Sequence, residues 1–303
     1  MLSQKDFLDL ANNNITFVAG SGRSGTTWLQ ELINYQRDYR IIFEPFWCNK
    51  VPFVDHFQQR QYLRVTNNEP CFQKPALRIL QGDFRNEWTD RFNEPITYRK
   101  RLIKDIRANL LLKWLKVQVM PQLKIVFIMR HPCAVAVSRL KLGWENQKIL
   151  AGLEQQTELT EDFLKPFAHL KNDLQDNFEY GIFQWAIENY VPLGQFSPNE
   201  IHLLFYEEML DNPERELSRL FAFLELPLKP ALFDKFDRPS AMSRKDSAIK
   251  LGKNSINAWN QDISSKQAKR AIQILSYFGL DEIYGEEAMP CSAAANRLLE
   301  KTF

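Results

Sequence analysis

The residues of this chain whose types and spacing could do chemistry begin with "GSGRSGTTW", residues 20 to 28. Gly20, four further residues and then Gly25-Thr26-Thr27 follow an apolar run and open a helical pattern, which is the setting of a phosphate-binding loop. Glycines let such a backbone turn tightly and aim its N–H groups inward, and the helix N-terminus adds partial positive charge, so the expected guest is an anion. A nucleoside triphosphatase carries a lysine where Thr26 stands, to reach the terminal phosphates. Thr26 has neither the reach nor the charge. The loop therefore predicts a donor with a shorter chain of anionic groups, with Arg23 supplying charge at its distal end. A glycine turn that merely joins strand to helix would not need Arg23, Ser24, Thr26 and Thr27 crowded around it.

A second anion motif lies in "KIVFIMRHPCAVAVSRL", which reads as strand, turn and helix. Arg130 falls at the strand's carboxyl end, Pro132 suits a first helical turn, and Ser138 follows on the helix. An arginine fork and a hydroxyl together bind phosphate through charge-assisted hydrogen bonds. Two other strand ends carry charge: Glu44 in "RIIFEPFW" and Lys104 in "RLIKDI".

The elements that must position these groups are apolar, β-branched runs at 15–19, 40–43, 101–106, 124–129 and 201–206, read as buried strands. Helical patterns lie between them, at "TTWLQELINYQ", "ANLLLKWLKVQ", "AVAVSRLKLGW", "GIFQWAIENYV" and "PERELSRLFAFL". Alternating strands and helices predict an α/β fold, a central parallel sheet flanked by helices, whose ligands sit beyond the carboxyl ends of the strands. No repeat or linker divides the chain, so residues 1–303 are read as one domain. Two stretches fit the alternation poorly, 47–100 and 144–180, and are expected to be surface excursions or to build an acceptor pocket or lid.

Composition narrows the classes. With 45% apolar residues and a net charge of +2, the chain has material for a large core and no bulk attraction to nucleic acid. Cys48, Cys71, Cys133 and Cys291 are scattered without metal-ligand spacing, which predicts a reducing compartment and no metal site. No apolar run approaches a membrane span and the first residues do not read as a signal peptide, so a cytoplasmic location is expected; oligomeric state is not legible.

With both anion motifs in hand, the chain resembles the sulfotransferase family, enzymes that use 3′-phosphoadenosine 5′-phosphosulfate. "GSGRSGTTWL" is similar to the family's 5′-phosphosulfate loop, in the arginine-bearing form of carbohydrate and protein-tyrosine members. The resemblance implies that the amides of Gly22, Ser24 and Gly25 and the hydroxyls of Thr26 and Thr27 hold the 5′-phosphate, while Arg23 stabilises charge on the bridging oxygen. It also implies that Arg130 and Ser138 grip the 3′-phosphate, that Tyr206 lies near the nucleotide, and that Arg244, Lys245 and Lys253 in "SRKDSAIKLGKNS" close over it. Asp246 departs there from the Arg-Lys-Gly pattern of small-molecule members. The "FQWAIENY" helix is similar to a structural one, and no metal is implied.

Small-molecule members carry Lys-Thr-His at the strand end that reads "KDI" here. Lys104 matches the lysine and is expected at the transferring sulfonyl oxygens, but Ile106 cannot take a proton. The resemblance to glycan and protein-tyrosine members makes Glu44 the expected base, with His56, His169 and Asp105 in reserve. The acceptor is expected to be a hydroxyl, on a carbohydrate or glycoconjugate first, with Phe46, Trp47 and Phe53 as ring platforms. The product would be 3′-phosphoadenosine 5′-phosphate. Two other readings stand: a small-metabolite kinase with a degenerate loop, and a noncatalytic nucleotide-binding module.

Overall fold

The computed structural model of the chain describes residues 7–12, 14–94, 96–236 and 256–300. Among the described residues seven strands form, β1 (Leu8–Asp9), β2 (Ile15–Ala19), β3 (Tyr39–Phe43), β4 (Thr97–Tyr98), β5 (Lys100–Asp105), β6 (Lys124–Met129) and β7 (His202–Phe205). Five of them make one parallel sheet in the order β3-β5-β2-β6-β7, while β1 and β4 pair separately. These five are the apolar runs read from the sequence. They lack polar alternation because both faces are covered: Phe17 and Ala19 of β2 enter one core and Val18 enters the other.

The helices are α1 (Thr26–Ile33), α2 (Pro70–Gln81), α3 (Pro132–Leu140), α4 (Asn146–Glu154), α5 (Asn177–Gln195), α6 (Tyr206–Asp211), α7 (Pro213–Leu224), α8 (Ser265–Ser276) and α9 (Ser292–Glu300). α1 and α7 cover one face, through Leu29, Leu32, Leu217 and Phe221. α5 lies on the other with α3, α4 and α8 packed against it. The result is a single α/β domain with a central parallel sheet between helical layers.

The two irregular stretches are more structured than their composition suggests. Leu150, Leu153, Leu159 and Phe163 of the 144–180 stretch are buried in the main core, as are Ala76, Ile79 and Leu80 of α2. α2 begins at a proline in its first turn and ends at Gly82, whose φ of 71° is the left-handed stop that glycine takes without strain. The expected helix over 108–118 instead breaks into a 3₁₀ turn at Asn109–Leu111, a short α turn and a π-helical turn at Leu115–Val119. Its first five residues, 108–112, are buried without interruption, whereas Lys116, Val117 and Gln118 of the π turn lie nearer the surface, so one amphipathic period does not run through it.

The open edge of β3 is closed by the 86–93 loop. Phe43 donates its N–H to the Thr89 carbonyl at 2.9 Å, and the Asn93 side chain pairs with both backbone groups of Ile41 at 2.8 and 2.9 Å. Buried Arg40 fixes that loop by pairing with Asp9 at 2.8 Å and Asp90 at 3.0 Å.

Candidate active site

The chain runs from β2 out to β3 and back to β5, then crosses to β6 and β7 on the other side. The reversal opens a crevice beyond the carboxyl end of β2, where ligands of such sheets bind. All five strands of the sheet deliver a sequence-predicted residue to that end: β2 the loop, β3 Glu44, β5 Lys104, β6 Arg130 and β7 Tyr206.

The loop turns through Gly20 and Gly25. A side chain at Gly20 would run into the Ile128 carbonyl, and one at Gly25, where φ is 92°, would meet the Tyr206 ring at 2.8 Å. Gly25 caps α1 without any side-chain acceptor on the first-turn amides, and no acidic residue stands in that turn. The helix thus presents its N–H groups and partial positive charge unopposed. Thr26 and Thr27 lie in this first turn, and the buried Ser24 hydroxyl has no hydrogen-bond partner among the described residues.

Arg23 holds a left-handed backbone at φ 83°, a conformation that costs a branched-free side chain about 1 kcal/mol and tends to mark functional sites. Its Nε donates to Ser138 Oγ at 3.0 Å, while Arg130 Nη1 donates to the Arg23 carbonyl at 3.2 Å. The two anion motifs are therefore one connected structure. Arg130 stacks 4.2 Å from the centre of the Tyr206 ring, and its buried Nε lacks a partner among the described residues. Tyr206 begins α6 rather than ending β7, and its ring is wedged edge-on against Trp28.

Beneath the loop lies a fully buried ionic cluster. Glu188 accepts from Arg60 Nε at 2.6 Å and from Arg139 Nη2 at 2.7 Å, and Arg139 Nε reaches the Gly22 carbonyl at 3.2 Å. Asn189 donates to Ser21 Oγ at 3.1 Å. Burial alone would raise the Glu188 pKa, but the charges of Arg139 and Arg60 outweigh it and hold the carboxyl at about 2. This α5 glutamate is structural, as the "FQWAIENY" reading expects, and it fixes the floor of the loop.

Glu44 stands at the end of β3 with φ 45°, another left-handed residue. Lys104 donates to its Oε1 at 2.6 Å and Arg107 to its Oε2 at 2.5 Å. Burial raises its pKa, yet Lys104 and Arg107 outweigh burial and hold the carboxyl below the ordinary range, so it is ionised at neutral pH. Arg107 escaped the sequence reading, although its place two residues past a charged strand end was a usable signal. Asp105 is fully buried, with its oxygens taken by the N–H groups of Phe46 at 2.8 Å and Arg107 at 2.6 Å. It ties the two loops together, and burial together with the Glu44 charge lifts its pKa to about 6.

The other sequence candidates separate. His56 is exposed beside Asp55, and His169 is exposed and edge-on to Tyr277. His131 is buried against Trp259, and burial depresses its pKa to about 4. Phe46 lies in the core and Phe53 packs on Phe84 with Arg78 over its face, so neither is an open ring platform. Trp47 is half-buried beside Arg107. Arg244, Lys245 and Lys253 lie outside the described residues.

A glycine-rich loop after β2, an arginine and a serine joined to it, and charged strand ends make an arrangement suited to an anionic ligand. The chain belongs to the sulfotransferase family: the family model of the sulfotransferase domain matches residues 14–273, and the protein is a sulfotransferase enzyme. No curated protein matches it significantly. Among solved structures, the sulfotransferase domain of the Synechococcus PCC 7002 olefin synthase shares the fold, with 17% identity, a TM-score of 0.50 and coverage of 88% of this chain and 95% of that one. The sulfotransferase domain from the curacin biosynthetic pathway aligns at 16% identity and TM-score 0.45, covering 94% and 95%. Mouse sulfotransferase SULT7A1, solved with PAP, aligns at 16% identity and TM-score 0.44, covering 97% and 89%. Among the described residues no helix is long and apolar enough to cross a membrane.

Proposed function

We propose that this sulfotransferase moves the sulfonyl group of 3′-phosphoadenosine 5′-phosphosulfate to an acceptor hydroxyl on a carbohydrate or glycoconjugate. The observation that carries the reading is the joining of two anion motifs through Arg23, Ser138 and Arg130 over an uncapped helix N-terminus. The residues fit such a donor. Unpartnered Ser24 Oγ and Arg130 Nε are buried donors that an anionic ligand would satisfy. The amides of Gly22, Ser24 and Gly25, with Thr26 and Thr27, would hold the 5′-phosphate, and Arg130 with Ser138 the 3′-phosphate, beside Tyr206. The donor supplies an activated sulfonyl group; the protein supplies position and charge.

Arg23 stands where charge accumulates on the leaving phosphate. Lys104 faces the transferring oxygens, and Glu44 takes the acceptor proton. The ion pair between them gives their roles an order. As Lys104 turns toward negative charge on the sulfonyl oxygens, Glu44 loses one of its two counter-ions and becomes more basic. A kinase reading finds less support, because Arg130 follows β6 directly where a magnesium-binding acid is needed. The arginine-type loop and "FEPFW" support the carbohydrate side of the family.

Radiolabelled donor offered with a panel of sugar, phenol and peptide hydroxyls tests the reading. Labelled sugar product from the wild-type chain, strongly reduced in Glu44→Gln at unchanged nucleotide affinity, is the expected result. Undiminished transfer by Glu44→Gln would overturn the base assignment, and transfer confined to phenols or peptides would overturn the carbohydrate assignment.

A further inference from the structure

Beside Glu44 and Lys104, the loops after β3 and before β4 meet in a corner with more donors than acceptors. Trp47 and Trp88 pack edge to face at 4.8 Å. Their faces are occupied by cations: Arg107 lies 4.2 Å from the Trp47 ring centre, Arg91 lies 4.6 Å from that of Trp88, and Lys50 lies 5.6 and 5.8 Å from the two. Rings covered in this way are not open for stacking by a neutral sugar. A guanidinium stacked on an aromatic ring, however, keeps its in-plane N–H groups free for an anion.

The donor count points the same way. Among the described residues, neither exposed Lys50 nor exposed Arg91 pairs with a carboxylate. The indole N–H groups of Trp47 and Trp88 and the Nε of Arg107 are buried without an acceptor among the described residues. Buried donors in native proteins are nearly always satisfied, so a cluster of exceptions in one corner asks for oxygens from a ligand. The one carboxylate that Arg107 has, Glu44, is shared with Lys104. The loop is not there by default either, since the Phe43 and Asn93 hydrogen bonds and the Arg40 pairs hold Trp88 and Arg91 against the β3 edge.

We infer that this corner is the acceptor-recognition site and that the acceptor is an anion, carrying a carboxylate near the hydroxyl that is modified, with Lys50 and Arg91 as the residues that select it. The inference rests on the sulfotransferase reading of the adjoining crevice, and it deepens that reading by giving the acceptor a charge.

The test uses matched hydroxyl probes, methyl glucuronide against methyl glucoside and 4-(hydroxymethyl)benzoate against benzyl alcohol. Each is titrated calorimetrically into the wild-type chain saturated with 3′-phosphoadenosine 5′-phosphate. Charge-assisted hydrogen bonds predict that the carboxylate member of each pair binds about tenfold more tightly. The preference should shrink as salt is raised and disappear in the Lys50→Ala/Arg91→Ala double variant, whose two positions are on the surface. Equal affinity within the pairs, or a preference that survives the double variant, overturns the inference. The saturating nucleotide titration is read separately: if the wild-type chain does not take up the nucleotide, the donor reading fails, and this inference fails with it.

Discussion

Around the β2 loop, Glu188 and Glu44 are each held between two cations, and their fates differ. Glu188 sits under the loop, fully buried with Arg60 and Arg139, and no ligand can reach it. Glu44 is itself buried with Lys104, but it stands at a strand end and its second partner, Arg107, is 12% exposed beside half-buried Trp47. Each carboxylate faces two cations, and the Glu44 cluster has buried Asp105 beside it as well. Place decides the use. A sealed cluster has a single arrangement and holds the Gly22 carbonyl and the loop floor in position, whereas a cluster at strand ends can exchange its partners for a substrate's. Left-handed residues accompany both, Arg60 in the first and Glu44 in the second.

The comparison breaks most readily at Glu188. Replacing it by leucine strands two buried arginines, and we expect a loss of about 3–5 kcal/mol in denaturant unfolding. A loss below 1 kcal/mol would mean that the cluster is not what fixes the loop. Glu44→Gln should do the reverse, reducing transfer by about a hundredfold or more while costing less stability than the Glu188 change. Single-turnover rates beside melting curves separate the two effects.

Arg130→Ala sharpens the assignment of the second anion site. We expect it to weaken binding of 3′-phosphoadenosine 5′-phosphate by about 10- to 100-fold and to leave ADP, which lacks the 3′-phosphate, nearly unaffected. An equal loss for both nucleotides would move Arg130 to a general structural role.

The smallest effect is a pH dependence. The folded-state pKa of Asp105, about 6, lies above its ordinary 3.8, so the folded chain binds this proton more tightly than the unfolded chain. Its contribution to stability is full below the unfolded value and is lost as pH rises through about 6, with a slope of about 1 kcal/mol per pH unit at most. Glu188 has the opposite sign: its contribution is present above 4.5 and lost as pH falls toward about 2. Stability of wild type minus that of Asp105→Asn should therefore rise as pH falls from 7 to 4, since only the wild type has this titration. A flat difference would place Asp105 in a more solvated setting.

Much of the frame was legible in the sequence. Every strand of the main sheet reads as a bounded apolar run because a doubly covered parallel sheet needs nothing else. The strand-turn-helix settings of the loop and of Arg130 and Ser138 were legible because each lies within one short stretch, while their phosphate roles came from the family resemblance. What escaped depends on contacts far apart in the chain. The Lys104, Arg107 and Glu44 cluster needs β3 and β5 to be neighbours, a fact of topology rather than spacing. Trp88 and Arg91 reach the site only because the 86–93 loop closes the β3 edge. Helix α2 carried its signals openly, a proline at its start and Gly82 at its end, but Pro75 interrupts it and the surrounding 47–100 stretch, rich in Gln, Asn, Arg and aromatics, reads as an excursion.

The central claim is a crevice with two phosphate sites on one nucleotide, and a calorimetric titration addresses it without knowledge of the acceptor. The wild-type chain would be titrated with 3′-phosphoadenosine 5′-phosphate, with ADP, and with ATP plus magnesium. The account predicts tight binding of the 3′-phosphorylated nucleotide and weak binding of the other two. Preference for ATP with magnesium would contradict it and return the loop to the kinases.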